Sequence, residues 1–113
     1  MLMDDAQLLA DKLRASEEFT AYRDAKERAY ASETTAALLN EFYALRMKIQ
    51  GSAVAGTPDA GATEKLQKLG ELLQFDPAAA EYLMAEYRLN TLLGDIYKLL
   101  AKAVDLDLGA LEA

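Results

Sequence analysis

The sequence predicts an all-α fold, an antiparallel helical bundle of four to five helices with a long C-terminal helix. Three observations carry this. Ala and Leu dominate while β-branched residues are scarce, only two prolines occur in 113 residues, and no stretch alternates apolar and polar residues as a half-buried strand would. At 52% hydrophobic and 27% charged, the chain has the apolar material for one core, and its length suits a single helical domain over residues 1–113.

The first helix is short. Asp4 or Asp5 is expected as its N-cap, Leu2, Ala6, Leu9 and Leu13 share one face, and it ends near Ser16. Ser16 is a plausible cap for a second helix, with Glu17 and Glu18 in the first turn, where carboxylates complement the positive helix end. Phe19, Tyr22, Lys26 and Ala29 fall on its inner side. Ser32-Glu33 then resets the chain, a pattern compatible with two helices or with one bent rod. The third helix carries Leu38, Leu39, Phe42, Leu45 and Ile49 on one arc, with Gly51 expected as a left-handed C-terminal cap. Arg46 lands inside that arc, so its guanidinium needs an acceptor or must snorkel to water.

Residues 51–61, GSAVAGTPDAG, read as the one flexible loop and end in a Thr-Pro-Asp helix-start signal. A short helix follows with Leu66, Leu69 and Leu73 on one face. Asp76 as N-cap and Pro77 at the first helical position open the last element, which runs to about Val104, a rod of roughly 40 Å. Its pattern is the most informative in the chain. Tyr82, Ala85, Leu89, Leu92, Ile96, Leu99 and Ala103 alternate spacings of three and four, an a/d seam over three heptads. Leu93, Tyr97, Leu100 and Val104 widen the seam to an arc of about 160°, enough for two or more partner helices. Leu83, Tyr87 and Gly94 lie toward the back. Gly94 is either a point of close backbone approach or a tolerated defect costing about 1 kcal/mol relative to Ala.

Composition removes much ordinary chemistry. There is no Cys and no His, hence no disulfide, no thiolate nucleophile, no Ser-His-Asp arrangement and no cysteine-held cluster. Twelve Lys plus Arg against 19 Asp plus Glu give a net charge of −7, which argues against binding nucleic acid or anionic membrane directly. No apolar run approaches the roughly 20 residues that span a bilayer. Met1-Leu2-Met3-Asp4-Asp5 has neither the basic start nor the apolar stretch of a secretory signal, so a cytoplasmic protein is expected. The paired carboxylates Asp4-Asp5 and Glu17-Glu18 diverge by about 100° per residue and read as caps and dipole partners. No catalytic, cofactor-binding or metal site is expected. Glu86, at the edge of the broad arc with Asn90, would satisfy Arg46 if the two face one another, which makes them a candidate structural polar pair.

Several strings resemble the YlbF/YmcA family of small helical bacterial proteins, including its YheA-like branch, over almost the whole chain. They are Ser16-Glu17-Glu18-Phe19 with Tyr22, Leu39-Asn40-Glu41-Phe42 followed by Ile49, and Met84-Ala85-Glu86-Tyr87-Arg88-Leu89 leading to Gly94-Asp95-Ile96. Arg46 departs from the pattern, which usually has Gln there. The resemblance implies a helical protein that associates through its long helices and acts by binding other proteins. Known members join a YaaT-like protein in a complex that promotes messenger RNA processing by RNase Y and affects competence, sporulation and biofilm formation. That complex is associated with cysteine-ligated iron–sulfur clusters, to which this chain has no cysteine to contribute.

The resulting expectation is a non-enzymatic regulatory or scaffold subunit, a homodimer or higher oligomer. Its interface candidates are Tyr82, Leu83, Tyr87, Leu89, Leu92, Leu93, Gly94, Ile96, Tyr97 and Leu100. Expected partners are itself and, by resemblance, YmcA/YlbF-like and YaaT-like proteins and RNase Y. Two alternatives stay open: a homo-oligomer with no ribonuclease connection, and a small all-helical enzyme.

Overall fold

The computed structural model describes residues 1–106 and contains five α-helices, with no strand among the described residues. They are α1 (Leu2–Arg14), α2 (Glu17–Tyr30), α3 (Glu33–Val54), α4 (Ala60–Gln74) and α5 (Pro77–Ala103). The fold class and the long last helix agree with the sequence reading. Helices two and three are separate.

Most boundaries follow from side chains that satisfy the free N–H groups at helix starts. The Ser16 hydroxyl donates to the Leu13 carbonyl at 2.6 Å and accepts from the Phe19 N–H at 3.1 Å, closing one helix and opening the next. Ser32 accepts from Thr35 N–H at 3.3 Å, Asp59 from Ala62 N–H at 2.9 Å, and Asp76 from the N–H groups of Ala78 and Ala79. Two expectations need correction. α1 begins at Leu2, so Asp4 and Asp5 lie within its first turn, where their charge complements the helix end.

The second correction concerns the loop. α3 runs through Gly51 to Val54, and the break shrinks to residues 55–59. The left-handed residue is Gly56, at φ 75°. Around it Thr57 N–H bonds to Ser52 C=O at 2.9 Å and Gly56 N–H to Ala53 C=O at 3.2 Å, the paired bonds of a Schellman ending. Gly51 tolerates the helix at modest cost, and Gly56 performs the turn that only a residue without Cβ makes freely.

The chain divides into two compact units, one of residues 1–22 with 84 onward, the other of residues 23–83. In the second unit α3 and α4 pack as an antiparallel pair: Lys48 lies 3.5 Å from Asp59, and farther from the turn Phe42 lies beside Gly70. Its interior holds Ala25, Ala29, Leu39, Ala62, Leu69, Leu73, Ala79 and Tyr82. Small alanines allow the helices to approach closely, so that Leu39 and Leu73 lose all solvent contact. The buried Thr35 donates its hydroxyl to Asp76, tying the first turn of α3 to the cap of α5.

The hydroxyl of Thr35 and two backbone N–H groups hold the Asp76 carboxyl below its ordinary value of 3.8, and Asp59 is held below it chiefly by the Ala62 N–H. A carboxyl whose folded pKa is depressed stabilises the fold above its unfolded pKa, and that contribution is lost as pH falls through the folded value. Asp76→Ala should therefore lower stability at pH 7 by about 1 kcal/mol or more, the scale of a lost N-cap. The difference should shrink as pH falls below 3.8 in urea unfolding followed by circular dichroism; a difference independent of pH would refute the assignment.

Candidate functional site

Burial is distributed very unevenly between the units. In the residues 1–22 and 84–106 the only buried side chains are Ala85 and Ala101. α1 contains no buried residue, although Leu2, Ala6, Leu9 and Leu13 share a face. Exposure along α1 reaches 82% at Leu2 and 77% at Met3. On α5, Leu93, Tyr97, Leu99 and Leu100 are 41–69% exposed. Single exposed apolar residues are ordinary, but here they run along one helix and leave an apolar face without cover among the described residues.

The interface candidates sort into three groups. Tyr87, Leu93, Tyr97 and Leu100 are exposed on α5, while Leu83, Leu89, Leu92, Gly94 and Ile96 are half-buried. Tyr82 is the exception. It is 2% exposed and packs edge-on against Tyr30 and Tyr43, at centroid distances of 5.9 and 6.3 Å, so it serves the core of the second unit and offers no surface. Tyr30 and Tyr43 join that same aromatic cluster. A Cβ added at Gly94 would meet nothing within 4 Å, so the chain itself makes no close approach there among the described residues.

Arg46 answers the question its position raises by stacking on aromatic rings. Its guanidinium carbon lies 5.6 Å from the Phe42 centroid and 5.3 Å from that of Tyr43, within range of a cation–π contact. Phe42 precedes Arg46 by one helical turn, a spacing readable from sequence, but the ring contact depends on rotamers that a wheel does not give. Glu86, the other member of the expected polar pair, is half-buried on α5 in the first unit.

Wheel reasoning also missed two surface features. α1's face was legible as amphipathic, but its lack of cover was not. Leu99 reads as a seam residue, yet it is 69% exposed. Among the described residues no group of three acidic side chains is placed to hold a metal ion, and no helix is long and apolar enough to cross a membrane.

A profile for the family described as "Control of competence regulator ComK, YlbF/YmcA" matches residues 2–105. The chain belongs to the YlbF/YmcA family. Relatives within it include a UPF0342 protein of Symbiobacterium thermophilum, 33% identical over 108 residues that cover 95% of this chain and 96% of the relative. Another, from Halothermothrix orenii, is 34% identical over 100 residues, covering 88% and 85%. Among solved structures, a DUF964 protein of unknown function from Bacillus stearothermophilus superposes with a TM-score of 0.82 at 20% identity over 92% of each chain. Bacillus subtilis RicA, solved in complex with RicF, superposes with a TM-score of 0.62 at 20% identity over 92% of this chain and 93% of that one. Both likenesses show the same helical fold.

The Arg46 contact gives a local test in this YlbF/YmcA chain. Arg46→Met keeps the apolar stem and removes the cation, so stability should fall by about 0.5–1 kcal/mol in chemical denaturation. An unchanged midpoint would show that the rings gain nothing from the charge.

Proposed function

We propose that this chain is a non-catalytic regulatory scaffold that works by helix-mediated assembly with itself and with other proteins of the YlbF/YmcA type. One observation carries the reading: the unit built from α1, the start of α2 and most of α5 buries two alanines and no large side chain among its described residues. A helix in water draws most of its stability from covering its apolar face, and α1 has only 13 residues. Cover supplied by another polypeptide would stabilise both. The family description supports a regulatory role in competence, and the RicA–RicF complex supports protein partners from the same set.

The finer reading extends to the process. By resemblance, this protein would join YmcA/YlbF-like and YaaT-like proteins and favour RNase Y-dependent messenger RNA processing, with effects on competence, sporulation and biofilm formation. Its part would be played in the cytoplasm through partners, since the acidic chain is poorly suited to phosphate contact.

The test uses the full chain. Sedimentation across a range of concentrations should give a species larger than a monomer, and a double variant, Leu93→Asp with Leu100→Asp, should keep the helical circular dichroism. Purified YlbF/YmcA-type and YaaT-like proteins should be retained by the wild-type chain and lost with that double variant. A wild-type monomer at every concentration that retains none of them would overturn the proposal.

A further inference from the structure

Two exposed charges on α5 are spaced in a way that suits one particular partner. Arg88 and Asp95 are seven residues apart, so they lie about 20° from one another on the helix and roughly 10 Å apart along it. That is too far to bond each other, and neither forms an ion pair among the described residues. Both flank the seam that contains Leu92 and Leu99, the place where charges set the orientation of paired helices.

The pattern is self-complementary in one direction only. A second copy lying parallel would oppose Arg88 to Arg88 and Asp95 to Asp95. A copy lying antiparallel about a two-fold axis between Thr91 and Leu92 opposes each Arg88 to the other copy's Asp95. The same axis sets Met84, 52% exposed, against Leu99, 69% exposed, and so covers two apolar side chains that lack cover in a single chain. At the crossing point Thr91 turns its hydroxyl back to the Tyr87 carbonyl at 2.9 Å, which leaves that hydroxyl satisfied when water is displaced.

A shallow groove of about 330 Å³ lies at this point, lined by Glu18, Tyr87, Arg88, Thr91, Leu92 and Asp95. Glu18 adds a second carboxylate to the lining of this groove. We propose that a second copy of this chain seats antiparallel on α5 in this register, with two reciprocal Arg88–Asp95 contacts across the axis. The inference rests on the assembly reading above and adds to it the direction and the contact residues.

A charge-swap mixture tests it. Arg88→Asp alone and Asp95→Arg alone should each weaken self-association at least about tenfold, because symmetry turns each substitution into two like-charge contacts. Mixing the two variants should restore wild-type association as a one-to-one heterodimer in native mass spectrometry, since one copy then offers two acids where the other offers two bases. Arg88→Glu with Asp95→Lys is a second pair should either first variant lose its helical signal. Without any substitution, the wild-type dissociation constant should rise with salt.

Self-association that survives both single substitutions, or a mixture that does not recover, would overturn this register and leave the assembly reading standing. A wild-type chain that stays monomeric alone would overturn the second copy as occupant; if it then binds a YlbF/YmcA relative, the assembly reading survives through that partner. A monomer that binds no such relative would overturn both.

Discussion

An amphipathic helix has to cover its apolar face, and the two units of this protein meet that requirement in different ways. Residues 23–83 meet it internally. Alanines at 25, 29, 62 and 79 let backbones approach, and Leu39, Leu69, Leu73 and Tyr82 disappear from solvent as a result. The other unit carries Leu2, Met3, Leu9, Leu93, Leu99 and Leu100 with large fractions exposed, and among its described residues only Ala85 and Ala101 are buried. Burial of apolar surface is the dominant favourable term in folding and in association alike, and the arc on α5 leaves much of that surface uncovered.

The polar residues support this division of labour. Asp59 and Asp76, which a search for acid–base groups would pick out, are engaged with backbone N–H groups at helix starts, and Asp76 also accepts the Thr35 hydroxyl. Their depressed pKa values come from those bonds, which are structural. Arg46 rests on Phe42 and Tyr43, and Arg28 meets Glu81 at 2.5 Å with both side chains about half exposed. Pairs of that exposure contribute little to stability.

What could be read from the chain was whatever is encoded locally. Ser16, Ser32, Asp59 and Asp76-Pro77 announce helix starts because a cap acts within three residues of itself, and the 3–4 spacing after Tyr82 announces a continuous apolar arc because helical periodicity is fixed. The misreadings arose where a local signal had two uses. Gly51 and Gly56 are both plausible helix ends, and the choice fell to the glycine around which the two Schellman bonds close. Tyr82 sits on the seam like Leu89 and Leu92, yet it alone meets two other rings.

By itself, then, the sequence determined helix type, order, most starting points and the breadth of the apolar arc on α5, all consequences of short-range hydrogen bonding and a constant turn per residue. Only tertiary packing decided which part of that arc is already occupied. Whether Tyr82 is hidden while Leu93 and Leu100 are open, and whether α1 finds any cover, depends on side chains brought together from distant stretches of chain. No periodicity along one helix carries that information, because the identity of the neighbour enters only when the helices meet.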